Sequence, residues 1–208
     1  MKHLLYSLLA LGLSPSAAAQ LTGSYTIDPG GSGSTNYTSF ATAVAALNTQ
    51  GVGAGGVTFL VKSGITFAEL VPAITASGTA ANPIVFRKDG AGDNPKLEGA
   101  GTSATDAAVT LDGADYVTFD GIDVNDAATN VSPTLQREFG FWLKNGATHN
   151  TVQNATVDLS RANNTRTYGV YAQDGNNNLT GSYRTRCRTA TTATILTPVA
   201  PTTMTATR

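Results

Sequence analysis

Apolar and polar residues alternate along three stretches of the chain: AAVTLDGADYVTFDGIDV at 107–124, GFWLKNGATHNTVQNATVDL at 140–159 and GVYAQDGNNN at 169–178. Each opens with the two-residue period of a strand and runs into a turn of Asp, Asn and Gly; the first two then resume the alternation. Setting Val109 against Phe141 and Val170 gives offsets of 32 and 29 residues, and setting Val117 against Val152 gives 35. A unit of this size cannot bury its own apolar face, so the pattern predicts coils stacked one on the next. The inward set is then Val109, Leu111, Val117, Phe119, Ile122 and Val124 in one coil, and Phe141, Leu143, Val152, Val157 and Leu159 in the next. In this alignment Asn154 falls where Phe119 does, and a buried Asn is tolerable only if its amide hydrogen-bonds along the stack. Residues Ala127 to Gln136 are expected as a loop thrown out between coils. A β-sandwich also alternates, but it seldom repeats strand, Asx/Gly turn and strand in one orientation.

Upstream, Leu21 to Asp28 alternates as a strand, and Pro29 to Asn36 is a Gly/Ser loop. Phe40, Ala43, Val44 and Leu47 then fall at i, i+3, i+4 and i+7, one face of a short helix. Thr38 or Ser39 can cap its start, and Asn48 with Gly51 can end it. The runs Val57 to Lys62, Ile65 to Val71, Pro83 to Arg87 and Lys96 to Glu98 read as short strands separated by Gly, Asn, Ser and Pro. No helix-length pattern lies between them, so βαβ units are not expected. The predicted fold class is all-β, a parallel β-helix (solenoid) whose open end is covered by one short N-terminal α-helix.

Composition narrows the setting. Only 13% of the 208 residues are charged, about half the usual share, and 22 are Gly, a turn-rich β composition. A formal net charge of −1 with scattered Lys and Arg indicates no nucleic-acid groove. Met1 to His3 is a short basic start, Leu4 to Leu13 is apolar but too short to span a bilayer, and Ala17 to Ala19 offers small residues for cleavage. Residues 1–19 are therefore expected to be a signal peptide, rather than a buried helix or an anchor, and no later stretch predicts a membrane span. Cys187 is the lone cysteine, so no internal disulfide can form, and His3 and His149 are too few to complete a structural zinc site.

The order of strand, Gly-rich loop, helix FATAVAALN, strand VTFLVK and Asx/Gly-punctuated coils resembles the N-terminal part of pectin-lyase-like, right-handed parallel β-helix proteins. More narrowly, YTIDPGG, SFATAVAALNTQGV, GGVTFLVKSG and VTLDGADYVTFDGIDV are similar to the opening of large Gram-negative surface proteins that end in a type IX secretion sorting domain. The resemblance runs from about Leu21 to about Tyr183. It implies a right-handed β-helix over residues 20–183, secreted or on the outer cell surface of a Gram-negative bacterium. It leaves activity open, because the same fold serves lyases, hydrolases, esterases, adhesins and passive stalks. Residues 184–208 depart from the pattern, with ten Thr, four Arg and no Gly, Asp or Glu. This tail is expected to be a Thr-rich disordered stalk or the product of a slipped reading frame. In a frame shifted by two bases its Thr-Thr and Ala-Thr pairs would encode Asn, Asp, Tyr or His, so the frame reading makes the chain a fragment of a longer β-helix.

Candidate chemistry is sparse. His149 sits in the turn GATHNTV beside no Ser-centred Gly motif, so no catalytic triad is predicted and no catalytic residue is assigned. Asp112, Asp115, Asp120, Asp123 and Asp126 crowd one coil, and Asp158 aligns with Asp123 on the next. Aligned residues of parallel coils lie about 4.8 Å apart, so that pair would need a cation or a proton between them. Asp123 and Asp158 are thus candidates for a Ca²⁺ site or for sugar-hydroxyl contact, against the plainer reading of Asp beside Gly as turn chemistry. Trp142 alternates against Phe141 and Leu143 and is a candidate for stacking on a sugar ring, or else packs under the 127–136 loop. Two functions remain. One is a non-catalytic structural or carbohydrate-contacting surface protein whose partner is a polysaccharide or cell-surface glycan. The other is a polysaccharide-degrading enzyme, pectate-lyase-like or a glycoside hydrolase, whose active-site coils lie downstream.

Overall fold

A computed structural model describes residues 19–99, 101, 106–126, 136–160, 167–173, 179–180 and 183–187, the last two segments as backbone. In chain order the elements are β1 (Leu21–Ile27), β2 (Asn36–Tyr37), α1 (Phe40–Gln50), β3 (Val52–Lys62), β4 (Thr66–Phe67), β5 (Ile84–Asp89) and β6 (Lys96–Glu98). There follow β7 (Ala107–Asp112), β8 (Val117–Asp120), β9 (Asp123–Asn125), β10 (Phe139–Lys144), β11 (Asn150–Gln153), β12 (Ala155–Leu159), β13 (Tyr168–Ala172), β14 (Leu179–Thr180) and β15 (Tyr183–Cys187). The strands form three sheets ordered β14-β11-β8-β5-β3-β1-β2, β15-β12-β9-β6-β4 and β13-β10-β7. Every pairing among them is parallel, and successive strands of one sheet come from successive passages of the chain. The molecule is a parallel β-solenoid of about four turns. The expected signal segment, most of the 127–136 loop and residues 188–208 lie outside the described residues.

Alternation places one apolar residue from each strand in the same column of the interior. All eleven residues of the predicted inward set are buried, none more than 1% exposed. On the seven-stranded sheet Phe59, Phe86 and Phe119 are register partners, and their rings stack at centroid distances of 4.7 and 4.9 Å with planes 13° and 8° apart. Those distances equal the strand spacing, so the coil repeat itself brings the rings into contact. The column continues as Val152 in the next coil.

Helix α1 closes the interior with the predicted face, burying Phe40, Ala43, Val44 and Leu47, and Phe40 packs edge-on against Phe67. Its first-turn donors are all used. Ser39 Oγ accepts from Thr42 N, Ser39 O accepts from Ala43 N, and the two carboxylate oxygens of Glu69 accept from Phe40 N and Ala41 N at 2.9 and 2.8 Å. At the other end Gly51 adopts φ 71° and donates to Leu47 O. Asn48 holds the chain beside the helix, donating to Ala73 O and accepting from Thr75 N.

The structure corrects the predicted register in places. Val109, Phe141 and Val170 do align. On the next face, however, Val152 pairs with Phe119 rather than Val117, a shift of two residues. The buried amide is therefore Asn150, which is fully buried, accepts from Val117 N at 2.9 Å and donates to Ala114 O at 2.9 Å. Asn154 instead turns the corner at φ 54° and donates to Asp120 Oδ1. Asp158 pairs with Asn125, not with Asp123. The run Ile65 to Val71 contributes only the two-residue β4, and β15 carries the coil four residues past Tyr183, into the segment set apart as a tail.

Candidate functional site

The three-stranded sheet carries most of the outward aromatic surface. Its register stacks Ala107, Phe139 and Tyr168 in one row and Thr110, Trp142 and Tyr171 in another. An unbroken alternation would put Phe139 on the same side as Phe141. The alternation slips because Gly140 is buried next to buried Phe141, and its neighbours in the stack, Ala108 and Gly169, are also small and buried. A Cβ on Gly140 would collide with Gly169 O and Val157 Cγ1, so only glycine lets the strand dip inward there. Phe139 consequently leaves the contiguous core and packs among outer rings, 5.1 Å from Trp142, 4.8 Å from Tyr171 and 5.8 Å from Tyr168 between centroids. Phe139 is 6% exposed, whereas Trp142, Tyr168 and Tyr171 are half-buried.

A polar row borders these rings. Trp142 Nε1 donates to Gln173 Oε1 at 3.1 Å. Lys144 Nζ lies 5.0 Å from the Trp142 ring centroid and 3.2 Å from Asp112 Oδ2, and Asn145 donates to Asp112 Oδ1. The Asn145 hydrogen bond holds the Asp112 carboxyl below its usual range; burial opposes this and Lys144 adds to it. Indole, carboxylate, ammonium and amide are thus tied together before any ligand arrives. The chemistry offered is a set of ring faces bordered by fixed hydrogen-bonding groups. Trp142 was legible from alternation, but Phe139 and Tyr168 were not, because their outward direction depends on the small-residue column.

Asp123 and Asp158 sit elsewhere, on adjacent strands of the five-stranded sheet and two positions out of register. Asp123 Oδ1 accepts from Asn94 Nδ2 and Thr156 N, both at 2.8 Å. The facing carboxylate pair that suggested Ca²⁺ is not formed, and among the described residues no group of three or more His, Cys, Asp or Glu side chains is placed to hold a metal ion. Neither residue is brought near the three-stranded sheet's outer face. His149 is an exposed corner residue at φ 56° whose ring stacks on Tyr116, with centroids 4.5 Å apart.

A buried polar cluster occupies the corner where the five-stranded sheet hands over to the three-stranded one. Arg137 is 1% exposed there, and its Nη2 donates to Glu69 O at 3.3 Å, linking a late coil to the segment that caps α1. Burial pushes the guanidinium pKa down, and the charges of Asp126, Asp106 and Glu98 push it back up. Glu138 accepts from Asp106 N, and its carboxyl is raised chiefly by burial. Sequence reasoning missed this cluster, since the polar run Gln136, Arg137 and Glu138 carries no burial signal. Its position inside the corner makes it a brace between coils.

The chain matches no family model and no curated protein. Among solved structures it is similar to an alginate lyase from Paenibacillus sp. str. FPU-7, with 19% identity, 71% of this chain and 41% of that chain covered, and a TM-score of 0.47. It is also similar to the GH136 lacto-N-biosidase from Eubacterium ramulus, with 17% identity, 80% of this chain and 31% of that chain covered, and a TM-score of 0.49. The chain spans less than half the length of either protein, and the likeness is one of fold.

Proposed function

We propose that this chain is part of a rigid extracellular β-helix shaft that contacts polysaccharide or cell-surface glycan through the outer face of its three-stranded sheet, without catalysing a reaction there. The observation that carries this reading is the cluster of half-buried rings at Trp142, Tyr168 and Tyr171, set around Phe139 and bordered by the tied polar groups of Gln173, Lys144 and Asp112. Sugar rings present apolar C–H faces with hydroxyls at their edges, and a flat aromatic surface with a polar border complements both features. The basic, apolar and small-residue order of residues 1–19 supports export, and the segments YTIDPGG and SFATAVAALNTQGV support a place on the surface of a Gram-negative bacterium, in the pectin-lyase-like and type IX secretion class.

The test is binding of the full chain to immobilised acidic and neutral polysaccharides. Trp142→Ala removes the largest ring and is expected to lower affinity for the preferred polymer at least about tenfold, from lost stacking and apolar contact, with little change in melting temperature. Equal binding by the variant and the parent would refute the aromatic face as the contact. Release of unsaturated oligosaccharides by the parent protein would replace the non-catalytic reading with a lyase.

A further inference from the structure

The corner between the seven-stranded and five-stranded sheets holds a second polar depression, distant in the fold from the aromatic face. It is a groove of about 470 Å³ lined in part by Gly121. This residue turns the corner at φ 70°, and the same position in the next coil is Asn154 at φ 54°. A Cβ on Gly121 would stand 3.3 Å from Asn94 Oδ1 and from Lys88 Cβ, so the groove exists because one coil turns this corner without a side chain. On its wall Arg87 and Asp120 are register partners on adjacent strands. The Arg87 guanidinium is exposed and makes no hydrogen bond or ion pair with the described residues.

The remaining polar groups are held in place. Asn154 Nδ2 donates to Asp120 Oδ1 at 2.7 Å, Asn94 Nδ2 donates to Asn154 O and to Asp123 Oδ1, each at 2.8 Å, and Lys88 Nζ donates to Gly92 O at 2.9 Å. Groups already fixed in this way lose little further freedom when a ligand binds.

We propose that this groove binds a neutral saccharide through a pair of vicinal hydroxyls. A carboxylate only accepts hydrogen bonds and a guanidinium only donates them, whereas each hydroxyl of a diol can do both; Asp120 and Arg87, side by side, meet one diol from both directions. The charged side chains lining the groove, Arg87 and Lys88 against Asp89 and Asp120, sum to zero, so the groove as a whole exerts no net pull on a charged sugar. Leu60, the register partner of Arg87, supplies an apolar contact for the sugar's C–H face. The proposal stands on its own geometry and does not depend on the aromatic face.

The experiment is a titration of the ¹⁵N-labelled full chain with cellopentaose, xylopentaose and mannopentaose, and with oligogalacturonate as the acidic comparison. The side-chain amides of Asn94 and Asn154 and the backbone amide of Gly121 report this groove, while the Trp142 indole N–H reports the other face in the same spectra. At least one neutral oligosaccharide is expected to shift the groove signals saturably. Gly121→Asn places the residue of the next coil in the groove and is expected to weaken that binding at least about tenfold. Arg87→Gln removes the charged donor without touching the corner and is expected to do the same. The proposal is overturned if no neutral oligosaccharide moves the groove signals, if both variants bind as the parent does, or if oligogalacturonate alone binds, which would mark Arg87 as a simple anion contact.

Discussion

The side chain of Asn150 fills a need that no apolar residue could meet. Between β7 and β8 the chain turns while its backbone is already inside, leaving Val117 N–H and Ala114 C=O to find partners away from water; the amide of Asn150, at the start of β11 in the next coil, serves both. Asn150→Ala would strand a buried donor and a buried acceptor, so it is expected to cost about 2–4 kcal/mol, read as a lower urea midpoint in equilibrium unfolding. Asn154→Gly offers the contrast. It loses the bond to Asp120 but relaxes a left-handed backbone, and its expected effect is within about 1 kcal/mol of zero. The sequence alignment put Asn154 inside the stack, whereas Asn154 is exposed and Asn150 is the buried, bonded asparagine. Alternation is unchanged by a shift of two, so Val117 and Phe119 are equally good partners for Val152 until the corner geometry decides. The same ambiguity explains the misplaced partner of Asp158.

At the scale of elements, α1 was the most legible piece of the chain, because Phe40, Ala43, Val44 and Leu47 mark a period of 3.6 and Ser39 and Gly51 mark its limits. What the sequence could not show is that a second cap comes from far along the chain. Glu69 reaches Phe40 N and Ala41 N with one oxygen each, 29 and 28 residues away, and adds a negative charge at the positive end of the helix dipole. Glu69→Gln keeps the shape but offers one acceptor where two are needed and removes the charge. It is expected to destabilise the protein by about 1–2 kcal/mol, seen as a lower melting temperature and as faster amide exchange confined to the first turn of α1. The short β4 shows the opposite limit. Ile65 to Val71 is rich enough in apolar residues to read as a strand, yet the chain leaves the sheet after Phe67 so that Glu69 and the following residues can reach the helix.

For the whole molecule, the stacked architecture was legible because three alternating stretches recur with turns of one kind, and Val109, Phe141 and Val170 lie in the predicted column. The aromatic face was only half legible. Trp142 declared itself, whereas Phe139 and Tyr168 depend on small residues that matter only once three strands lie side by side. The corner groove left no periodic trace at all, since it comes from a single glycine at one turn. One corner also differs between coils in how the chain crosses it. From the seven-stranded to the five-stranded sheet two later coils cross at one length, since Asp120 pairs with Gln153 and Val124 with Val157, whereas the coil before them crosses the same corner over residues 90–95. This corner therefore accepts extra residues where they leave as a loop, as at 90–95, and not where a single left-handed residue makes the turn, as at Gly121 and Asn154. A ten-residue Gly/Ser insert after Ala91, in the exposed loop between β5 and β6, is therefore expected to leave the melting temperature within a few degrees of the parent, and the same insert after Gly121 to abolish cooperative unfolding. Deliberate grafting thus has a permissive address at residues 90–93, where an added segment would lie at the edge of the groove beside Gly121 without altering how the coils stack.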